Sequence, residues 1–102
     1  MRISVELQGF DQANQELDRI ITRFVADASS TLTNNLRSRT PIDTGRARRG
    51  WTNRASGKTA SVENRVPYID YLEQGHSRQA PTGFVRQAIA ATVAEMNRKG
   101  KL

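Results

Sequence analysis

A chain of 102 residues amounts to a single domain, residues 1–102, and a domain of this size buries only about 60 to 65% of the surface its unfolded chain exposes. Hydrophobic residues make up 36% and aromatic residues 6%, so the core is thin and packing against neighbouring subunits is expected to contribute stability. The lack of cysteine excludes a disulfide framework, a thiolate metal site and a cysteine nucleophile, and a formal net charge of +6 points to anionic partners.

In chain order, Arg2 to Gln8 alternate, with Ile3, Val5 and Leu7 on one face and Ser4 and Glu6 on the other, the period of a half-buried strand. Gly9 breaks the pattern and Asp11 is a helix-capping residue type. Leu17, Ile20, Ile21, Phe24, Val25, Ala28, Leu32 and Leu36 then recur at helical spacing. Pro41 cannot continue a helix and biases Thr40 away from helical geometry, so a long amphipathic helix is predicted from near Asp11 to Arg39. At 1.5 Å per residue it spans on the order of 40 Å, more than a small core covers.

Gly50–Arg54 and Thr59–Asn64, separated by Ser56-Gly57, read as a β-hairpin forming a small antiparallel sheet. After Pro67, the residues Tyr68, Ile69, Tyr71 and Leu72 indicate a short helix ended by Gly75. The segment from His76 to Gly83 reads as a loop. A C-terminal helix follows, with Phe84, Val85, Ala88, Ile89, Val93 and Met96 on one side and its end at Gly100. The fold class is therefore α+β. No apolar run approaches the roughly 18 residues of a membrane span, and the N-terminus lacks the apolar centre of a signal peptide. A soluble protein folding in the bacterial cytoplasm is expected.

The charge is concentrated. From Arg37 to Arg65 eight basic residues (Arg37, Arg39, Arg46, Arg48, Arg49, Arg54, Lys58, Arg65) face only Asp43 and Glu63, so the whole net charge lies in this middle third. Such a zone suits DNA or an acidic partner subunit, or simply a solvated arginine-rich loop.

Asp43-Thr44-Gly45 spells the core of an aspartic protease motif. Those enzymes need the aspartate on a tight loop of a strand-rich fold, paired with a twin across a dimer so that two carboxylates share a proton. Here the triplet follows a long helix and precedes the bulky Arg46, and an Asx-type corner, with Gly45 in a backbone conformation other residues avoid, is the better reading. His76 is the single histidine, with Ser77 beside it, and adjacency alone makes neither acid-base nor metal chemistry. No cofactor or metal site is expected. Trp51, Tyr68 and Tyr71 near the arginines suit either base stacking or packing, and packing is favoured in so small a domain.

Read in order, TPIDTGRARRGW and then VENRVPYIDYLEQGHSRQAPTGFV resemble the tail-component family of long-tailed phages and prophages, which includes head-tail joining, neck and tail-completion proteins. The likeness covers roughly Leu36 to Ala90. It rests on several motifs in a shared order: the Thr-Pro…Asp-Thr-Gly-Arg corner, the tryptophan closing the arginine run, Asn64 before Pro67-Tyr68, Leu72-Glu73-Gln74-Gly75-His76-Ser77, and Ala80-Pro81…Gly83.

The resemblance implies a non-enzymatic virion subunit, a long helix against a small sheet, and a ring of copies around the DNA channel at the neck. Its partners would be further copies of itself, a head-completion or connector protein, a tail terminator or tail tube protein, and packaged DNA contacted without sequence specificity, with no membrane involved. Asp43, Arg46, Arg48, Arg49, Tyr71, Glu73, His76 and Ser77 are the expected subunit and partner contacts, Glu73 through an ion pair with a neighbour's arginine. Arg46, Arg48, Arg49, Arg54 and Lys58 are the candidates for facing the channel. The competing reading is a small, free nucleic-acid-binding module.

Overall fold

The structure, a computed structural model, describes residues 1–7, 15–42, 45–74 and 83–100. Its elements in order are β1 (Arg2–Glu6), α1 (Gln15–Arg39), α2 (Arg46–Arg49), β2 (Trp51–Ser56), β3 (Thr59–Asn64), α3 (Ile69–Glu73) and α4 (Val85–Arg98). The expected α+β arrangement of strand, long helix, hairpin, short helix and C-terminal helix is what forms. The readings at Gln8, Gly9, Asp11, Gly75 and Pro81 fall outside the described residues.

The three strands make an antiparallel sheet in the order β1-β3-β2. Ser56 pairs with Thr59, so Ser56 ends a strand and the two-residue connection is Gly57-Lys58, one position later than Ser56-Gly57. Alternation sorts the sheet into two faces. Ile3, Val5, Ala60, Val62, Trp51 and Asn53 turn toward α1, while Arg2, Ser4, Glu6, Ser61, Glu63, Thr52 and Arg54 form a wholly polar outer face. α1 lies across the inner face, and α4 runs along α1.

The main core gathers Leu32 and Leu36 of α1, Ala47, Trp51, Val62, Val66, Ile69, Leu72, Phe84 and Ala88. Trp51 is fully buried and meets Phe84 edge-on, with ring centroids 6.4 Å apart. This settles its role as packing rather than base stacking. A second cluster of Ile21, Val25 and Ala60 continues the core toward the N-terminal end of α1.

Hydropathy missed one device that recurs three times. Thr33, Thr40 and Thr92 are buried, and each hydroxyl donates to the carbonyl four residues earlier: Ser29 (2.7 Å), Leu36 (2.6 Å) and Ala88 (2.8 Å). That back-bonding satisfies the hydroxyl and leaves its oxygen as an acceptor facing another element. Asn53 of β2 donates to Thr33, the Trp51 indole N–H to Thr40, and Asn35 of α1 to Thr92 of α4. These bonds tie α1 to β2 at two levels and to α4 at one.

The stripe on α4 differs from the expected one. Phe84, Ala88, Thr92 and Met96, spaced by four, are the buried positions, whereas Ile89 and Val93 are 40% and 48% exposed. A threonine occupies the core line, and the two β-branched aliphatics lie beside it.

Candidate functional site

Two surfaces stand out: the corner after α1, and a groove at the open edge of the sheet. The corner begins at Thr40, whose backbone N–H still bonds the Leu36 carbonyl (2.8 Å) before Pro41 stops the helix. The residues from Arg46 to Arg49, expected as loop, form the helical turn α2, entered through Gly45 at φ +81°, the left-handed conformation anticipated for that glycine. Asn64 closes the corner from the sheet side. It is fully buried, donates to the Ala47 carbonyl (2.8 Å) and accepts from the Val66 N–H (2.9 Å).

Two arginines of the corner, Arg37 and Arg48, are held rather than loose. Arg48 donates from Nε to the Thr40 carbonyl (2.6 Å) and from a terminal nitrogen to that of Ser38 (3.2 Å). Both acceptors are among the last carbonyls of α1, which have no partner within the helix. Arg37 donates to the Trp51 carbonyl (2.8 Å), so it braces α1 against the start of β2. Asn34, Arg37, Ser38, Arg48 and Arg49 together line a shallow open cleft.

The five residues expected to face a channel therefore separate. Arg46, Arg48 and Arg49 share the corner. Arg54 sits on the outer sheet face with Arg2, Glu63 and Arg65, turned away from α1. Lys58 is at the hairpin tip, where it pairs with Asp18 (2.7 Å), roughly 30 Å from the corner along α1. No single surface presents all five. Arg37, whose role in the cleft the sequence reading did not single out, belongs to the corner group.

Glu73 has a place inside the chain. Its Oε1 accepts from the backbone N–H groups of Phe84 (2.6 Å) and Val85 (3.1 Å), capping the N-terminus of α4, where an anion also complements the helix dipole. This cap is a role of Glu73 within the chain that the sequence reading did not single out. Gly83 fits the same joint: its φ is +90°, and a Cβ there would come within 2.6 Å of Glu73 Oε1 and 2.7 Å of the Glu73 carbonyl oxygen. Tyr71 is 57% exposed, as an interface residue would be. Asp43, His76 and Ser77 lie outside the described residues.

The groove lies where β1, α1 and α4 meet. It is lined by the edge of β1 from Ile3 to Leu7, by Phe24, Ala28 and Leu32 of α1, and by Ile89, Thr92, Val93 and Met96 of α4, with a volume of about 360 Å³. Ile20, one turn before Phe24, extends this apolar surface and is 59% exposed. β1 is an edge strand of the sheet among the described residues.

Among the described residues no cluster of three or more His, Cys, Asp or Glu side chains has the placement of a metal site, and no helix is long and apolar enough to cross a membrane. No family model, curated protein or solved structure matches the chain.

Proposed function

We propose that this chain is a structural, non-enzymatic subunit of the head-tail junction of a long-tailed phage, a neck or tail-completion protein. Copies form a ring around the DNA channel that joins the head connector to the tail. It is made in the host cytoplasm and ends in the virion.

The observation that carries the assembly part is the apolar groove beside β1, the edge strand of the described sheet. Ile20, Ile89 and Val93 are aliphatic side chains left 40% or more exposed in a domain too small to waste apolar surface. An edge strand flanked by such a surface is a template for another chain. The phage part rests on the ordered motifs between Thr40 and Gly83.

Replacing Ile89 and Val93 by glutamine in the phage gene is expected to give separate heads and tails under the electron microscope. Normal infectious particles from that variant would overturn the reading. The corner cleft favours a second reading, a free basic nucleic-acid-binding module, in which the purified chain stays monomeric at all concentrations while binding DNA.

A further inference from the structure

The cleft at the C-terminal end of α1 holds three cations, two of them fixed in place but not neutralised. Arg37 spends one guanidinium donor on the Trp51 carbonyl, and Arg48 spends two on the carbonyls of Thr40 and Ser38. A guanidinium has five donors, so most remain available. A carbonyl oxygen orients an arginine without cancelling its charge. The ion pairs among the described residues involve Arg2, Lys58, Arg65 and Lys99, not Arg37, Arg48 or Arg49.

The end of α1 opposes these charges with only about half an elementary charge of dipole, against three full positive charges. Among the described residues no carboxylate lines the cleft. Because folding already immobilises Arg37 and Arg48, an anion docking here meets a preset arrangement and loses little side-chain freedom in binding.

We propose that this cleft seats the phosphodiester backbone of duplex DNA, with Arg37 and Arg49 contacting phosphate oxygens and Arg48 fixing the geometry and adding to the field. The lining decides between DNA and an acidic protein. Asn34, Arg37, Ser38, Arg48 and Arg49 include no apolar or aromatic side chain, whereas the centre of a protein interface draws its energy from such anchors. Polar and cationic groups suffice for phosphates, and contacts to phosphate carry no sequence information, so binding is indifferent to sequence. This deepens the proposed DNA-channel role: it brings in Arg37 and sets aside Arg54 and Lys58.

The test uses the full chain and a fluorescent duplex DNA, with anisotropy read across a sodium chloride series and oligomer mass read by light scattering in the same samples. The R37Q/R49Q variant is compared with R54Q/R65Q, which removes the same charge from the outer sheet face. With each phosphate contact contributing about 0.9 to the slope of log affinity against log salt, the cleft variant is expected to lose about 2 from that slope, and the outer-face variant to keep the wild-type value. R49Q alone leaves the carbonyl bonds of Arg37 and Arg48 in place and is expected to lose about 1, which keeps the test decisive if the double variant melts early.

Equal losses from the two double variants, no DNA binding by the wild-type chain, or tighter binding of polyglutamate than of DNA would each overturn the proposal, the last in favour of an acidic protein partner. Assembly fails or survives separately. Rings that ignore DNA refute this inference alone, and a chain that binds DNA but never oligomerises refutes the ring.

Discussion

At its C-terminal end α1 meets α2 and the start of β2 in a corner where Arg48 and Trp51 both donate to Thr40 and Asn64 donates to the Ala47 carbonyl, around a buried indole. Toward its N-terminal half the same helix, together with α4 and the edge of β1, leaves Ile20, Ile89 and Val93 facing outward. The two regions use the same residue economy in opposite ways. A chain with one tryptophan and three phenylalanines cannot cover a 25-residue helix along its whole length, so it completes one end and leaves aliphatic side chains exposed toward the other.

The sharpest way to break this comparison is to remove the indole. Trp51→Ala empties the centre of the completed end and is expected to cost about 3–5 kcal/mol, a large part of what a domain of this size has. At about 4–8 °C per kcal/mol the melting temperature followed by far-UV circular dichroism should fall by 12 °C or more, if the variant folds at all. Trp51→Phe keeps much of the apolar volume and removes the N–H that reaches Thr40 Oγ1, so a smaller loss of about 1–2 kcal/mol is expected. A Trp51→Ala variant that melts within a few degrees of wild type would show that the corner is not where stability resides.

The joint between α3 and α4 gives the next effect in size. Gly83→Ala puts a side chain at φ +90° and against the Glu73 backbone and carboxylate, with an expected cost of about 2–3 kcal/mol. Glu73→Gln keeps an acceptor but loses the charge at the helix N-terminus, an effect of about 0.5–1 kcal/mol. Hydrogen exchange should place that loss in the first turn of α4. If Gly83→Ala leaves denaturant midpoints unchanged, the proposed cap is not holding the helix.

How legible these features were depends on the kind of interaction. Periodicity located β1, α1, the hairpin and α4 because burial of one face is a local property that repeats along the chain. Pro41 marked the end of α1 at Arg39, and Gly45 the left-handed step after it. The threonine relays were invisible to hydropathy, since Thr33, Thr40 and Thr92 read as polar until their back-bonds and cross-element donors are seen. For the same reason Thr92 took the core line on α4 that Ile89 and Val93 were expected to hold.

The candidate site was legible as a charge excess but not as a surface. Sequence distance puts Arg54 and Lys58 close to Arg49, yet strand alternation turns Arg54 to the outer face and the hairpin carries Lys58 to Asp18. Arg37 joins Arg48 and Arg49 only because α2 folds back on the end of α1, a contact that spacing cannot reveal. The bond from the start of α4 to Glu73 joins residues eleven apart in the chain, and spacing does not reveal it either.

The smallest effect on the fold should come from the open end, and there its smallness is informative. Ile89 and Val93 lie outside the Phe84-Ala88-Thr92-Met96 line, so replacing both by glutamine removes little buried surface and should change monomer stability by no more than about 0.5 kcal/mol per site. The oligomer mass should nevertheless fall if the proposed ring forms, because the lost apolar contacts then belong to its interface and not to the core. A large drop in melting temperature with unchanged mass would mean the reverse: that the groove is part of the domain's own core and that both ends of α1 are built alike.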